Sequence, residues 1–141
     1  MSAVSVEIVK KIYNNGASSQ SSVTALENFR LEIKGGEFTC IVGPSGCGKT
    51  TLLNLIGGLD KKFEGVISVN GVSPQRGSAV GYMFQSPRLM PWLNVEQNVG
   101  LVVDKEPNKD KKIKELLSEM ELDKFIHAYP KSLSGGMRRR A

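Results

Sequence analysis

Apolar and polar positions alternate over Val4-Ser5-Val6-Glu7-Ile8-Val9, which predicts a strand with one buried face. A polar, turn-rich run from Asn14 to Ser22 follows, and alternation resumes from Leu26 to Ile33 through Phe29 and Leu31 before Lys34-Gly35-Gly36 turns the chain. Glu37 to Val42 is a short apolar, β-prone run that predicts a third strand, with Cys40 in its core. Thr51-Leu52-Leu53-Asn54-Leu55-Ile56 changes to helical spacing and is stopped by Gly57-Gly58. Two more strands are expected: Gly65 to Val69, closed by an Asn70-Gly71 turn, and Ala79 to Phe84, ended by Gln85. Beyond Gln85 the pattern becomes helical. Pro87 and Pro91 break regularity, Asn94 caps a helix opening at Val95, and a basic linker runs from Lys105 to Lys112. Ile113, Leu116, Leu117 and Met120 then mark an amphipathic helix with Met120 in its core, and Ser134 caps a last helix beginning at Met137.

Between the third strand and the first helix lies Gly43-Pro44-Ser45-Gly46-Cys47-Gly48-Lys49-Thr50, which fits G-x-x-x-x-G-K-[ST] at every fixed position. Glycines let successive N–H groups turn inward onto oxyanions, Lys49 brings a charge to the outer phosphates, and the Thr50 hydroxyl is a magnesium ligand. The strand, loop, helix order adds the helix N-terminus, with Thr51 in its first turn, as a further source of positive potential. The chemistry predicted is binding of a nucleoside triphosphate with Mg2+. Cys47 is read as a small filler residue within the loop.

Composition narrows the class. At 141 residues, 40% hydrophobic and 23% charged, the chain suits one ordinary globular domain, and no apolar run approaches a bilayer span. The net charge of +5 is spread along the chain without aromatic interleaving, so nucleic acid is not an expected partner. The start lacks the layout of a secretory signal and only two cysteines occur, both of which point to the cytosol.

The motifs, taken in order, resemble the N-terminal part of an ATP-binding cassette (ABC) transporter ATPase subunit. Besides the phosphate loop, Tyr13 is placed like the family's adenine-stacking aromatic. Gln85 in Tyr82-Met83-Phe84-Gln85 is placed like its metal-binding, coupling glutamine, and Leu133-Ser134-Gly135-Gly136-Met137 like its signature sequence. Met137 stands where glutamine is usual, which removes a polar contact. Pro91-Trp92-Leu93-Asn94-Val95, with Pro87-Arg88-Leu89 before it, is similar to the segment in nitrate, sulfonate and taurine importer ATPases. Trp92 is read either as an interface residue for the membrane subunit or as part of the helical core. His127 precedes the position of the family's switch histidine and is read as an ordinary histidine.

The resemblance implies an α/β fold: a P-loop NTPase core with an antiparallel β layer over residues 1–85, and part of an inserted helical subdomain with the signature over 86–141. Catalytic roles fall to Lys49, Gln85 and Ser134. Nucleotide contacts fall to Tyr13, Gly43, Pro44, Ser45, Gly46, Cys47, Gly48, Lys49, Thr50, Thr51, Gly135 and Gly136, and the metal to Thr50 and Gln85. It further implies a homodimer or paired ATPase subunit, an integral membrane permease and, indirectly, a solute-binding protein, with the chain peripheral on the inner face of the membrane. The other readings are a non-transport cassette ATPase and a fragment that only binds. In the family, the magnesium-orienting aspartate, the water-polarising glutamate and the switch histidine all follow the signature. Asp104 precedes it and is not taken for that aspartate. The expectation is therefore a truncated domain whose 141 residues do not turn over ATP alone.

Overall fold

A computed structural model describes residues 2–14, 22–74, 80–103 and 107–141 of the chain, which divides into two compact units, Met1–Tyr82 and Met83–Ala141. The polar turn over 15–21, Ala79 at the start of an expected strand, Asp104 and the first part of the basic linker lie outside the described residues.

In the first unit, β1 (Ser2–Asn14) is the middle strand of a three-stranded antiparallel sheet, between β2 (Ser22–Lys34) and β3 (Glu64–Val69). Val6 pairs with Leu31 on one side and Ile67 on the other, so the alternating apolar positions share one face. Helix α1 (Lys49–Ile56) lays Leu52 and Leu55, one turn apart, against that face. Val6, Ile8, Leu52, Leu55 and Ile67 form its core, each no more than 3% exposed. Each such side chain contributes roughly 1.5–3 kcal/mol, far more than helix propensity gives eight residues in isolation. The expected Asn-Gly turn is present: Asn70 and Gly71 take φ of 52° and 79°, and Val69 and Val72 exchange N–H···O bonds of 2.8 and 3.0 Å.

The β1–β3 register steps two residues on β1, Ile8 to Lys10, for one on β3, Gly65 to Glu64. Side-chain alternation changes phase at such a step. Val9 is 52% exposed, and Lys11 points to the buried side at 2% exposure.

Two expected strands are not formed. Residues 37–42 and 80–84 carry no ladder, because an extended segment becomes a strand only beside a partner and, among the described residues, none lies along them. Phe38, Val42 and Met83 are accordingly 93%, 85% and 91% exposed, and Cys40 is an exposed free thiol and not a core residue. Ile41 still packs on the sheet–helix core, and the Tyr82 hydroxyl bonds Asn54 Oδ1 on α1 at 2.6 Å.

The second unit is helical. Helix α2 (Val95–Gly100) opens with the expected cap, extended to a capping box: Gln97 N–H donates to Asn94 Oδ1 at 2.8 Å and Asn94 N–H to Gln97 Oε1 at 2.9 Å. Helix α3 (Lys109–Glu119) buries Ile113 and Leu117 with Val95, Val103, Leu122 and Leu133. Met120 is 40% exposed and not core, since α3 ends at Glu119 and Glu121 takes a φ of 56° that turns the chain away. Asn98 is buried, accepting from Met90 N–H at 2.7 Å and donating to the carbonyls of Met90, Leu93 and Asn94. It pins a loop that holds Trp92 outward at 69% exposure, which excludes the core reading of that residue. Helix α4 (Gly135–Arg140) starts two residues before the expected Met137. Among the described residues no helix is long and apolar enough to cross a membrane.

Candidate functional site

The phosphate loop of the first unit is built on positions where a side chain does not fit. Gly46 and Gly48 take φ of 81° and 94°, and a Cβ at Gly43 would stand 2.8 Å from Cys47 Sγ. At Gly48 a Cβ would meet the Ala25 carbonyl at 2.7 Å and Leu26 Cδ2 at 2.8 Å, so the start of α1 lies tight against β2. Gly48 is also the N-cap of α1, and no side chain caps the helix there. Its first helical bond is Leu52 N–H to Gly48 O at 2.8 Å, which leaves the amides of Lys49, Thr50 and Thr51 without an acceptor inside the helix.

Lys49 curls back over this loop. Its ammonium donates to the Gly43 and Pro44 carbonyls at 2.7 Å each and lies 3.5 Å from Cys47 Sγ. The first turn of α1 holds no acidic residue. Left-handed glycines, open helix amides and one ammonium make a donor set suited to a chain of oxyanions, and the Thr50 hydroxyl at the same turn suits the metal that accompanies one. Pro44 and Ser45 line the exposed rim.

Tyr13 stands near the end of β1 opposite Val23, and its residue is 37% exposed. Its hydroxyl donates to Asp60 Oδ2 at 3.1 Å, and Lys11 Nζ lies over its ring, 4.4 Å from the centroid. Lys11 Nζ also bonds Asp60 Oδ2 and the Lys62 carbonyl, both at 2.7 Å, and Lys62 N–H donates to Asp60 Oδ1 at 3.0 Å. Burial raises the Asp60 carboxyl, but the Lys11 hydrogen bond, the Lys62 amide, the Tyr13 hydroxyl and the Lys11 charge together outweigh it and hold it below the ordinary 3.8.

A depressed carboxyl contributes stability that is complete above its unfolded pKa and is lost as pH falls through the folded one. The wild-type chain is therefore expected to lose stability below about pH 4 more steeply than Asp60→Asn. Urea midpoints from pH 7 downward check this; equal acid slopes would mean that Asp60 carries none of the effect.

Gln85 belongs to the second unit and lies, exposed, in coil and not at the end of a strand. Ser134 is the N-cap of α4, its Oγ accepting from Met137 N–H at 3.2 Å, and a Cβ at Gly135 would meet nothing within 4 Å. Two of the following arginines hold the fold: Arg138 donates to the Leu133 carbonyl at 2.6 Å, Arg140 to the Met120 carbonyl at 2.8 Å and to Glu121 at 3.1 Å. His127 is a surface histidine 3.6 Å from Glu96. The structure thus gathers Tyr13 and residues 43–51 in the first unit, and Gln85 and Ser134 to Gly136 in the second. Sequence reasoning missed Lys11 and Asp60; the only signal was a lysine two positions before an aromatic, with nothing to mark its burial.

Residues 26–141 match the family described as ABC transporter. The chain is 42% identical over 140 residues to the aliphatic sulfonates import ATP-binding protein SsuB of Bacillus subtilis (strain 168), an alignment covering 98% of this chain and 54% of that protein. It is 39% identical over 137 residues to the aliphatic sulfonates import ATP-binding protein SsuB 2 of Burkholderia cenocepacia (strain HI2424), covering 96% and 48%. The chain spans about half the length of the curated relatives it matches. Its fold is similar to the dimeric post-hydrolysis structure of the ATP-binding cassette MJ0796 bound to ADP and Pi, with a TM-score of 0.82, 32% identity, and coverage of 97% of this chain and 68% of that one.

Proposed function

The chain belongs to the ABC transporter family, and from that membership we propose that it is the nucleotide-holding part of an import motor that takes MgATP. The observation that carries this is the phosphate loop, with Lys49 bridging two of its carbonyls above uncapped helix amides. In this reading the backbone N–H groups of Ser45 to Gly48 and of Lys49 to Thr51 hold the phosphates, with Gly43 and Pro44 shaping the loop beside them, Lys49 neutralises the outer ones, Thr50 and Gln85 take the magnesium, and Tyr13 stacks on the base. ATP supplies the free energy; the residues here bind it, orient it and balance its charge.

The named relatives support a sulfonate-type solute and the import direction. The dimeric cassette structures support pairing with a second copy or a related subunit. We place Ser134, Gly135 and Gly136 against the γ-phosphate held by that second subunit. The motor then works peripherally on the inner face of the membrane, driving a permease fed by a solute-binding protein. Turnover we assign to the whole protein, because water attack needs a positioned base and none of the residues above supplies one.

Calorimetry with MgATP tests the reading: saturable one-site binding is expected, and its absence would overturn it. Ser134→Arg is expected to leave single-copy binding nearly unchanged, at a cost of about 1 kcal/mol for the lost cap, while abolishing ATP-driven pairing. Light scattering with and without ATP measures that separation, and pairing that persists in the variant would remove Ser134 from the interface.

A further inference from the structure

We infer that Lys11 and Asp60 are positioning residues for the nucleotide base: they lock the Tyr13 ring so that a single face is presented for stacking. The inference rests on the nucleotide reading of the phosphate loop and deepens it.

Lys11 is 2% exposed, on the side of β1 that otherwise carries Val6 and Ile8. Burying an ammonium is unfavourable unless it is paired and hydrogen-bonded, and an apolar residue at such a site commonly serves stability as well or better. This lysine is nonetheless fully engaged, by the Asp60 carboxylate, the Lys62 carbonyl and the face of Tyr13. A ring face covered by a cation is closed to a base. The Tyr13 hydroxyl, tied to the same carboxylate, holds the far end of the ring in place. In this inference the opposite face is the one that takes a planar ligand.

Asp60 is in turn fixed to the phosphate-loop helix. It lies four residues beyond Ile56, and the N–H groups of Leu59 and Asp60 both donate to the Asn54 carbonyl, at 2.9 and 3.2 Å. One end of α1 thus begins with Lys49, Thr50 and Thr51, and the turn leaving its other end holds the clamp on Tyr13. Base and phosphate contacts share one helix, so their spacing is set before a nucleotide arrives. Pre-organisation of this kind raises affinity by removing the ordering cost from binding.

The experiment compares MgATP with magnesium tripolyphosphate, which has no base, by calorimetry on the full chain. Lys11→Met removes the cation at similar volume, and Asp60→Asn keeps the shape of the carboxylate and stands in should the first variant not fold. Both are expected to weaken MgATP about five- to tenfold, part of what one stacked base is worth, with tripolyphosphate unchanged to about twofold. In a Tyr13→Ala background neither should weaken MgATP further, since their effect passes through the ring. Equal losses for both ligands would show a structural staple only and overturn the inference, as would unchanged MgATP affinity or full additivity with Tyr13→Ala. A parent chain that binds neither ligand overturns the nucleotide reading itself, and the inference with it.

Discussion

Lys49→Ala is expected to weaken MgATP binding by about ten- to a hundredfold, with little change in folding stability. A hydrogen bond to a charged group is worth about 1.5–3 kcal/mol, and here the ammonium is the loop's own side-chain cation. In the structure Lys49 is half-buried, and its hydrogen bonds to the Gly43 and Pro44 carbonyls lie at the surface. Those contacts are local and solvent-screened, so their loss should cost the fold under about 1 kcal/mol. The loop keeps its shape through Gly46, Gly48 and the packing of Gly48 on β2, which the substitution does not touch. Titration calorimetry beside a urea melt separates the two quantities. Unchanged affinity would show that the loop is not the phosphate site, and a large fall in the urea midpoint would show that Lys49 is holding structure.

Gly65→Ala is expected to destabilise the first unit by about 3–5 kcal/mol, a large share of the 5–15 kcal/mol typical of a domain. Gly65 takes a φ of 136°, which L side chains rarely adopt, and a Cβ there would run into the Glu7 carbonyl and stand 2.9 Å from Ile8 Cα. Both obstacles are backbone of the middle strand and cannot move aside without breaking the β1–β3 ladder. Gly71→Ala is the control. Its φ is 79°, yet a Cβ would meet nothing within 4 Å, so it bears the conformational cost alone, about 1 kcal/mol. Urea unfolding of both variants checks the difference; equal midpoints would mean that the close approach to Glu7 is relieved by a small shift. Because the β1 register step sits beside this contact, Gly65→Ala should also disturb the placement of Lys11 and, through it, Tyr13.

Much of this was legible in the residues. The phosphate loop is written in a local code: each glycine answers a backbone angle or a close approach, and Lys49 and Thr50 follow at the spacing one helical turn demands. The Asn70-Gly71 turn, the Asn94 cap and the Ser134 cap are equally local, decided by side chains within three residues of the backbone they serve, and all three are present. The alternation of Val4, Val6 and Ile8 against Phe29, Leu31 and Ile33 carried the sheet face in the same way.

What the residues did not carry was every property that depends on a partner far along the chain. Residues 37–42 and 80–84 have the composition of strands, but a strand exists only through the ladder beside it, and no neighbour is supplied to them among the described residues. Phe38, Val42 and Met83 consequently stand in solvent. Met120 has helical spacing for a core position, and the turn at Glu121 decided otherwise. Trp92 was compatible with core or surface until Asn98 was seen to pin its loop outward. Lys11 is the sharpest case: alternation from Val4 through Val6 and Ile8 would turn Lys10 inward and Lys11 outward, and only the register step opposite Gly65 turns Lys11 beneath Tyr13 and onto Asp60. Local sequence determined the loop that meets phosphate, because its geometry is satisfied within eight residues. Tertiary pairing determined the clamp on Tyr13, because burying a charge is tolerable only where a carboxylate about fifty positions away in sequence is brought to meet it.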